Sequence, residues 1–293
     1  MLTIAVTGAT GAQGGATARA LIAAGHHVRA LTRHPHSPAA DTLRHLGADI
    51  HHADFDDPTT LTAALAGTDS LFAVTTPFGT DTTTETRQGK TLIDAAAAAR
   101  LGHIVFTSAA HADRNTGIPH YESKHAIEAH LRTSRIPWTV IAPAAFMDNY
   151  AAGWTLDSLR EGTFAWPMPA DTPLTLIPAT DIGTFAALIL QHREDFHTQR
   201  IDIASDELTP ARIAHTLTTA TGRPITHHQV PLTYVRNHST DLAAMFEYFT
   251  TTGLDVDVAA LRRDYPEAGW HTFTDWATGQ DWTTLLSTEP AHH

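Results

Sequence analysis

At 293 residues the chain can hold one large domain or two coupled ones, and 42% hydrophobic content is too much for general disorder. Its formal charge of −12, from 19 basic and 31 acidic residues, argues against direct nucleic-acid binding, because no net positive field draws phosphate. The lack of Cys excludes disulfides, thiolate nucleophiles and Cys-ligated metals. No apolar run reaches the ~20 residues that span a bilayer.

The chain opens on an apolar run, Leu2 to Val6, read as a strand. A glycine turn follows, and an Ala-rich helix from about Ala16 to Ala24 leaves it. Val28 to Thr32 is the second strand, after the helix stop at Gly25. Asp41 to Leu46 is a short helix and Asp49 to Ala53 the third strand. Asp57-Pro58 starts a helix, with Asp as N-cap and Pro at the first helical position, and Gly67 ends it. Leu71 to Val74 is a buried-type strand. Glu85 to Arg100 is a long helix stopped by Gly102, Ile104 to Ser108 the fifth strand, Tyr121 to Arg132 a helix, and Trp138 to Ala142 the sixth strand. This rhythm predicts an α/β fold, a doubly wound parallel sheet covered on both faces. After Pro143 the rhythm breaks. A helix is expected from about Met147 to Leu159, a turn-rich stretch from Gly162 to Pro173, and a short strand at Leu174 to Ile177. A helix capped at Thr180-Asp181 runs through Leu190, and a strand follows at Ile201 to Ala204. Helices then dominate, at Pro210 to Ala220, Asp241 to Thr250 and Val256 to Arg263.

The turn after the first strand reads Gly8-x-x-Gly11-x-x-Gly14. Gly8 permits a tight exit, Gly11 has no Cβ to keep a pyrophosphate from the backbone, and Gly14 lets the helix pack closely. The N–H groups at the helix start favour an anion. The spacing differs from G-x-G-x-x-G, but the mechanics are those of a dinucleotide site. With Thr10, Ala12 and Gln13, these glycines form the expected cofactor-binding turn; an ordinary turn that binds nothing is the competing reading.

An NAD site usually carries an acid after the second strand, for the ribose 2′-OH. Here the chain reads Leu31-Thr32-Arg33-His34. A guanidinium at Arg33 suits a 2′-phosphate and favours NADP(H), unless it is merely a solvated surface Arg. Asp54 and Phe55, past the third strand, are placed for the adenine, although Asp54 could equally cap the region of the Asp57 helix. Thr75 and Thr76, after the fourth strand, could line the ribose path or form a plain loop. Ser108, Tyr121 and Lys124 invite comparison with short-chain dehydrogenases, which use Ser and then Tyr-x-x-x-Lys. The step from Tyr121 to Lys124 is three residues instead of four, so the two side chains are rotated relative to the usual pair. Tyr121 is a candidate proton donor and Lys124 a candidate holder of the nicotinamide ribose, against a solvated helix Lys.

The 21 His allow a large change of charge in mild acid. Their adjacent pairs (His26-His27, His51-His52, His227-His228) point to opposite faces of a strand and cannot chelate one ion, so no metal is expected. His111 and His120 are candidate substrate contacts or proton relays. Phe146, Met147, Tyr150, Trp154 and Trp166 could form an apolar substrate wall, with core packing as the alternative.

Val6-Thr7-Gly8-Ala9-Thr10-Gly11-Ala12-Gln13-Gly14-Gly15, Thr32-Arg33 and Asp54 to Asp57 resemble the NmrA-like proteins, atypical members of the short-chain dehydrogenase/reductase superfamily. Gln88-Gly89-Lys90, Lys124 before Ile127-Glu128, Asp241 to Phe246, and Phe273-Thr274-Asp275-Trp276 extend the resemblance along nearly the whole chain. The resemblance implies an extended Rossmann domain that binds the nucleotide and a smaller, mostly helical C-terminal substrate domain. It also implies one of two functions. Some members are NADP(H)-dependent reductases of quinones, dyes or aromatic natural products, in which a Lys matching Lys124 commonly remains and the Tyr is often missing. Others bind NADP(H) as redox sensors and regulate a protein partner.

The expectation is therefore a Rossmann domain over 1–145 and a C-terminal substrate or partner domain over 146–293, with a strand near 201–204 that can rejoin the main sheet. The expected function is NADPH-dependent hydride transfer to a small conjugated or aromatic carbonyl or quinone-like substrate, with Lys124 and Tyr121 as catalytic residues and Ser108 and Phe146 joining the cofactor contacts. The alternative is a non-catalytic NADP(H) sensor. A homodimer and a regulatory partner are left open, no membrane contact is expected, and a cytoplasmic location is the simplest reading, since the N-terminus lacks a signal-peptide layout.

Overall fold

Strand-forming apolar runs and helices alternate through the first half of the chain, and the computed structural model, which describes residues 1–287, folds them into a seven-stranded sheet. In chain order the elements begin β1 (Thr3–Val6), α1 (Ala12–Ala23), β2 (His27–Thr32), α2 (Pro38–His45), β3 (Asp49–His52) and α3 (Pro58–Leu65). Next come β4 (Ser70–Ala73), α4 (Thr82–Ala98), β5 (His103–Thr107), α5 (Pro119–Thr133), β6 (Trp138–Pro143) and β7 (Ala145–Phe146). The middle of the chain forms α6 (Gly153–Arg160), β8 (Thr163–Trp166), β9 (Leu174–Ile177), α7 (Ala179–Gln191), β10 (Gln199–Ile203) and β11 (Asp206–Leu208). The remainder forms α8 (Pro210–Thr221), β12 (Thr226–Gln229), α9 (Leu232–His238), α10 (Thr240–Thr251), α11 (Val258–Asp264), α12 (Phe273–Thr278) and α13 (Trp282–Leu285).

The contacts divide the chain into two units. The first gathers Met1–Pro143, Ala179–Asp202 and Glu267–Gly269, so α7 and most of β10 belong with the sheet. Its strand order is β10-β6-β5-β4-β1-β2-β3. The pairs from β3 through β6 are parallel. The order reverses between β1 and β4, which is where open α/β sheets place their ligands, at the carboxyl ends of the strands. Ile4, Ala5, Val6, Leu71, Phe72, Ala73, Ile104 and Val105 are fully buried. Strands with no polar face must be covered on both sides.

Helix α1 starts at Ala12, four residues ahead of the expected start at Ala16, because the glycine-rich first turn is itself helical. Close packing overrides the poor helix propensity of Gly14 and Gly15 there. A Cβ on Gly14 would lie 2.3 Å from Gly8 O. Helix α7 packs on α1 just as tightly. A Cβ on Gly183 would lie 2.5 Å from the carbonyl carbon of Ala16.

The second unit gathers Ala144–Pro178, Ile203–Pro266 and the residues from Trp270 on. It holds a three-stranded sheet, β11-β9-β7, and a two-stranded one, β12-β8, among helices. The single helix expected over 147–159 is instead a 3₁₀ turn, Met147–Ala151, followed by α6. Ala152 lies between them, and Gly153, at φ +52°, opens α6. The stretch read as turn-rich from 162 contains β8, whose parallel partner is β12. Among the described residues no helix is long and apolar enough to cross a membrane.

Candidate active site

The turn after β1 is fixed from inside. Thr7 Oγ1 accepts a hydrogen bond from Val74 N (2.8 Å) and donates to Val74 O (3.1 Å), tying the ends of β1 and β4 together. Gly8 turns the chain at φ +56°, where a Cβ would meet Val74 Cγ1 at 2.6 Å. Gly11 N donates to Gly8 O. Gly8, Thr10, Gly11 and Ala12 are exposed. Gly11 stands at the N-cap of α1 without a side chain to accept from the first-turn amides. Those N–H groups, at Ala12, Gln13 and Gly14, have no acceptor within the helix. Gln13 reaches inward: its Oε1 accepts from Thr107 Oγ1 at the end of β5 (2.7 Å).

Beyond β2 and β3, Arg33 is exposed. The charged group it acts on is Asp56. The Arg87 guanidinium of α4, hydrogen-bonded to Asp56, holds that carboxyl below the usual range, and Gln88 and the charge of Arg33 add to the effect. The Asp54 carboxylate accepts from Asp56 N (3.0 Å), and Asp54 O accepts from Asp57 N, so Asp54 closes the turn leading into α3. Phe55 packs against the core that includes Leu61, Leu92 and Ile93.

Lys124 of α5 is buried, at 8% exposure. Its Nζ donates to Thr75 O (2.5 Å) and Thr75 Oγ1 (3.1 Å) at the carboxyl end of β4, and pairs with Glu85 Oε1 of α4 (2.7 Å). Glu85 is fully buried. It also accepts from Thr75 Oγ1 (2.9 Å) and from Ser123 Oγ (2.5 Å). Burial pushes the Lys124 amine below the usual range for lysine, and the charge and hydrogen bond of Glu85 act against that. Thr76, beside it, is exposed, and its hydroxyl accepts from Phe78 N. Tyr121 lies in the first turn of α5, 5% exposed, with its ring edge-on to His120. The exposed Phe78 packs on the other side of His120, at 5.8 Å between centroids.

Ser108, at the end of β5, joins a different cluster. Its hydroxyl donates to Glu128 Oε1 (2.5 Å), one turn beyond Lys124 on α5. Glu128 is fully buried and is also held by Arg132 (2.7 Å) and by Arg200 of β10 (3.2 Å). Arg200 bonds Asp202, Asp113 and the carbonyl of Ala109, which fastens the loop after β5. In that loop the buried His111 adopts a left-handed conformation, φ +67°, and such positions gather at functional sites.

In the second unit, Phe146 is half-buried in β7, opposite Ile177 of β9. Met147 and Tyr150 are fully buried. The Tyr150 ring packs against Phe164, Trp166, Phe273 and Trp276, so these aromatics build the core of that unit. Trp154 remains about half-exposed, stacked on Trp166. Among the described residues no group of three or more metal-ligating side chains is present.

The fold thus brings Lys124 together with Thr75, and Gln13 with the end of β5, while Ser108 is committed to Glu128. Sequence reasoning missed Glu85, Ser123, Thr107 and Arg200. Only Ser123 carried a local hint, as the neighbour of Lys124 in the Tyr121 to Lys124 stretch.

Comparison with known proteins points one way. The profile of the NmrA-like family matches residues 2–285. An NmrA-like family domain-containing oxidoreductase, lnbB of Aspergillus flavus, is 32% identical over 249 residues, which are 76% of this chain and 74% of the relative. The NAD(P)H azoreductase of Xenophilus azovorans is 28% identical over 82% of this chain and 81% of its own length. Against two other fungal oxidoreductases of the same description the match spans about half of the relative, 47% and 48%. Among solved structures, that of NmrA, a negative transcriptional regulator, in complex with NADP has this fold, with a TM-score of 0.78 at 22% identity over 96% of this chain and 99% of that one. The chain belongs to the NmrA-like family.

Proposed function

We propose that this protein is an NADP(H)-dependent reductase of a small conjugated or aromatic carbonyl or quinone-like compound. One observation carries the reading. At the point where the strand order reverses, the open amides of α1 stand at the end of β1, and the Lys124–Thr75 pair stands at the end of the adjoining strand β4. The turn fits a pyrophosphate: its outer face is exposed, and a Cβ on Gly11 would fill space bounded only by Gly8 O at 3.3 Å.

In this reading Gly8, Thr10, Gly11, Ala12, Gln13 and Gly14 hold the diphosphate, and Arg33 takes the 2′-phosphate. Asp54 and Phe55 border the adenine, while Thr75, Thr76 and Ser108 border the ribose and nicotinamide. Lys124 acts on the nicotinamide side, and Tyr121 is the nearby proton donor. The reduced nicotinamide supplies hydride when bound; the chain contributes position and charge. The named activity of the azoreductase relative and the family name of the fungal oxidoreductases support a reductase.

NADPH oxidation is expected with at least one member of a panel of quinones, enones and aromatic carbonyls. Tight NADPH binding with no turnover across that panel would instead favour a second reading, a nucleotide-gated regulator. That alternative is supported by the three-residue step from Tyr121 to Lys124 and by the description of NmrA as a transcriptional regulator.

A further inference from the structure

The Lys124 ammonium has three N–H donors and three protein acceptors: Glu85 Oε1, Thr75 O and Thr75 Oγ1. Both oxygens of the Glu85 carboxylate are engaged as well, Oε1 by Lys124 and Thr75 and Oε2 by Ser123. A buried charge this enclosed survives only with a partner of opposite sign. We propose that Glu85 is a positioning residue that keeps Lys124 charged and anchored at the carboxyl end of β4, ready to exchange one protein acceptor for a cofactor hydroxyl. The inference rests on the reading of Lys124 as the cofactor-side lysine.

Among the described residues no other element supplies that charge. From the β4 side Lys124 meets the Thr75 hydroxyl and carbonyl, and from β5 the Phe106 ring, at 5.8 Å to its centroid. On α5 itself, His120 and Tyr121 lie in the preceding turn, and Ser123 is bound to Glu85. Glu128, one turn on, is already matched by Arg132 and Arg200. On α4, Arg87 faces Asp56. Glu85 is therefore the only carboxylate among the described residues that pairs with Lys124, and its loss leaves burial unopposed.

The test is NADPH affinity against pH, read from nicotinamide fluorescence, in the wild type, Glu85→Gln and Glu85→Asp. If binding requires the ammonium, affinity above the lysine midpoint falls about tenfold per pH unit. Glu85→Gln is expected to lose affinity at a midpoint at least about one pH unit below the wild type, with Glu85→Asp lying closer to the wild type. A uniform weakening at every pH, or superimposable profiles, overturns the inference. Should Glu85→Gln fail to fold, ¹⁵N NMR of the lysine Nζ groups in the wild-type holoprotein decides: a charged Lys124 at neutral pH is expected, and a neutral amine overturns it. A wild type that binds no NADPH at all sinks the proposed function instead, and the Nζ measurement on the unliganded protein still tests the Glu85 pair.

Discussion

Arg33 stands exposed where an NAD site would hold an acid, and the nearby carboxylate of Asp56 is already engaged by Arg87 and Gln88. Its guanidinium is thus available to a dianionic phosphate, for which charge-assisted, forked hydrogen bonds are strong. Arg33→Ala is expected to weaken NADP(H) binding by about 1–3 kcal/mol and to leave NAD(H) nearly unchanged. Calorimetry with both nucleotides checks this, and equal losses would show that Arg33 does not read the phosphate. The position of Arg33 was legible, because a strand end sets it. Glu85 was not. It sits in α4 among Thr, Arg, Gln and Lys, in a pattern that reads as a solvated face, and Ser123, which bonds it, lies 38 positions away. A local pattern cannot tell a buried acid from an exposed one when its partner comes from another helix. Ser108 has a partner that the sequence did not show. Its distance from Tyr121 suited a short-chain dehydrogenase serine, yet tertiary packing gave its proton to Glu128.

Much of the first unit was readable because β1, β4, β5 and β6 are mostly apolar runs and several helices carry explicit caps, such as Asp57 with Pro58 on α3. Strand β12, Thr-His-His-Gln, has no apolar residue, so its pairing with β8 left no periodicity to detect. The glycine inside α7 was likewise silent, although it sets how closely α7 approaches α1. Gly183→Ala and Gly89→Ala separate two kinds of close contact. Each gains about 0.8–1 kcal/mol of helix propensity. At Gly183 the new Cβ meets backbone, Ala16 C at 2.5 Å and Thr17 N at 2.7 Å, and no rotamer can relieve that. At Gly89 it meets the Ile127 side chain, whose Cδ1, at 2.5 Å, can move. Overpacking typically costs about 1–3 kcal/mol, so Gly183→Ala is expected to lower stability by about 1–2 kcal/mol net and Gly89→Ala by distinctly less. Urea denaturation of the two variants decides, and equal losses would mean that α7 shifts on α1 as readily as Ile127 repacks.

For the molecule as a whole, the 21 His make mild acid the informative stress. Most of those among the described residues are partly or fully exposed, whereas His103, at the start of β5, is fully buried. Thr139 Oγ1 donates its one proton to Phe196 O (2.7 Å), so it must accept from His103 Nε2–H (2.9 Å). That fixes the neutral tautomer and leaves Nδ1 buried with no hydrogen-bond partner, beside the His197 ring. Burial first, then the charges of His197 and Arg193, push the His103 imidazole down from 6.5 to about 4. In the unfolded chain it takes up a proton near the ordinary value; in the folded chain it does so only near 4. The unfolded state therefore binds more protons across that window, and the contribution of His103 is intact above about 6.5 and lost as pH falls toward 4. The shift corresponds to about 3 kcal/mol. His103→Asn, which keeps a donor for Thr139, is expected to be less stable than the wild type near pH 7 and to lose about 3 kcal/mol less between pH 6.5 and 4. Stability measured by urea unfolding at several pH values checks this, and parallel slopes for the two proteins would show that His103 is not the source of the acid sensitivity.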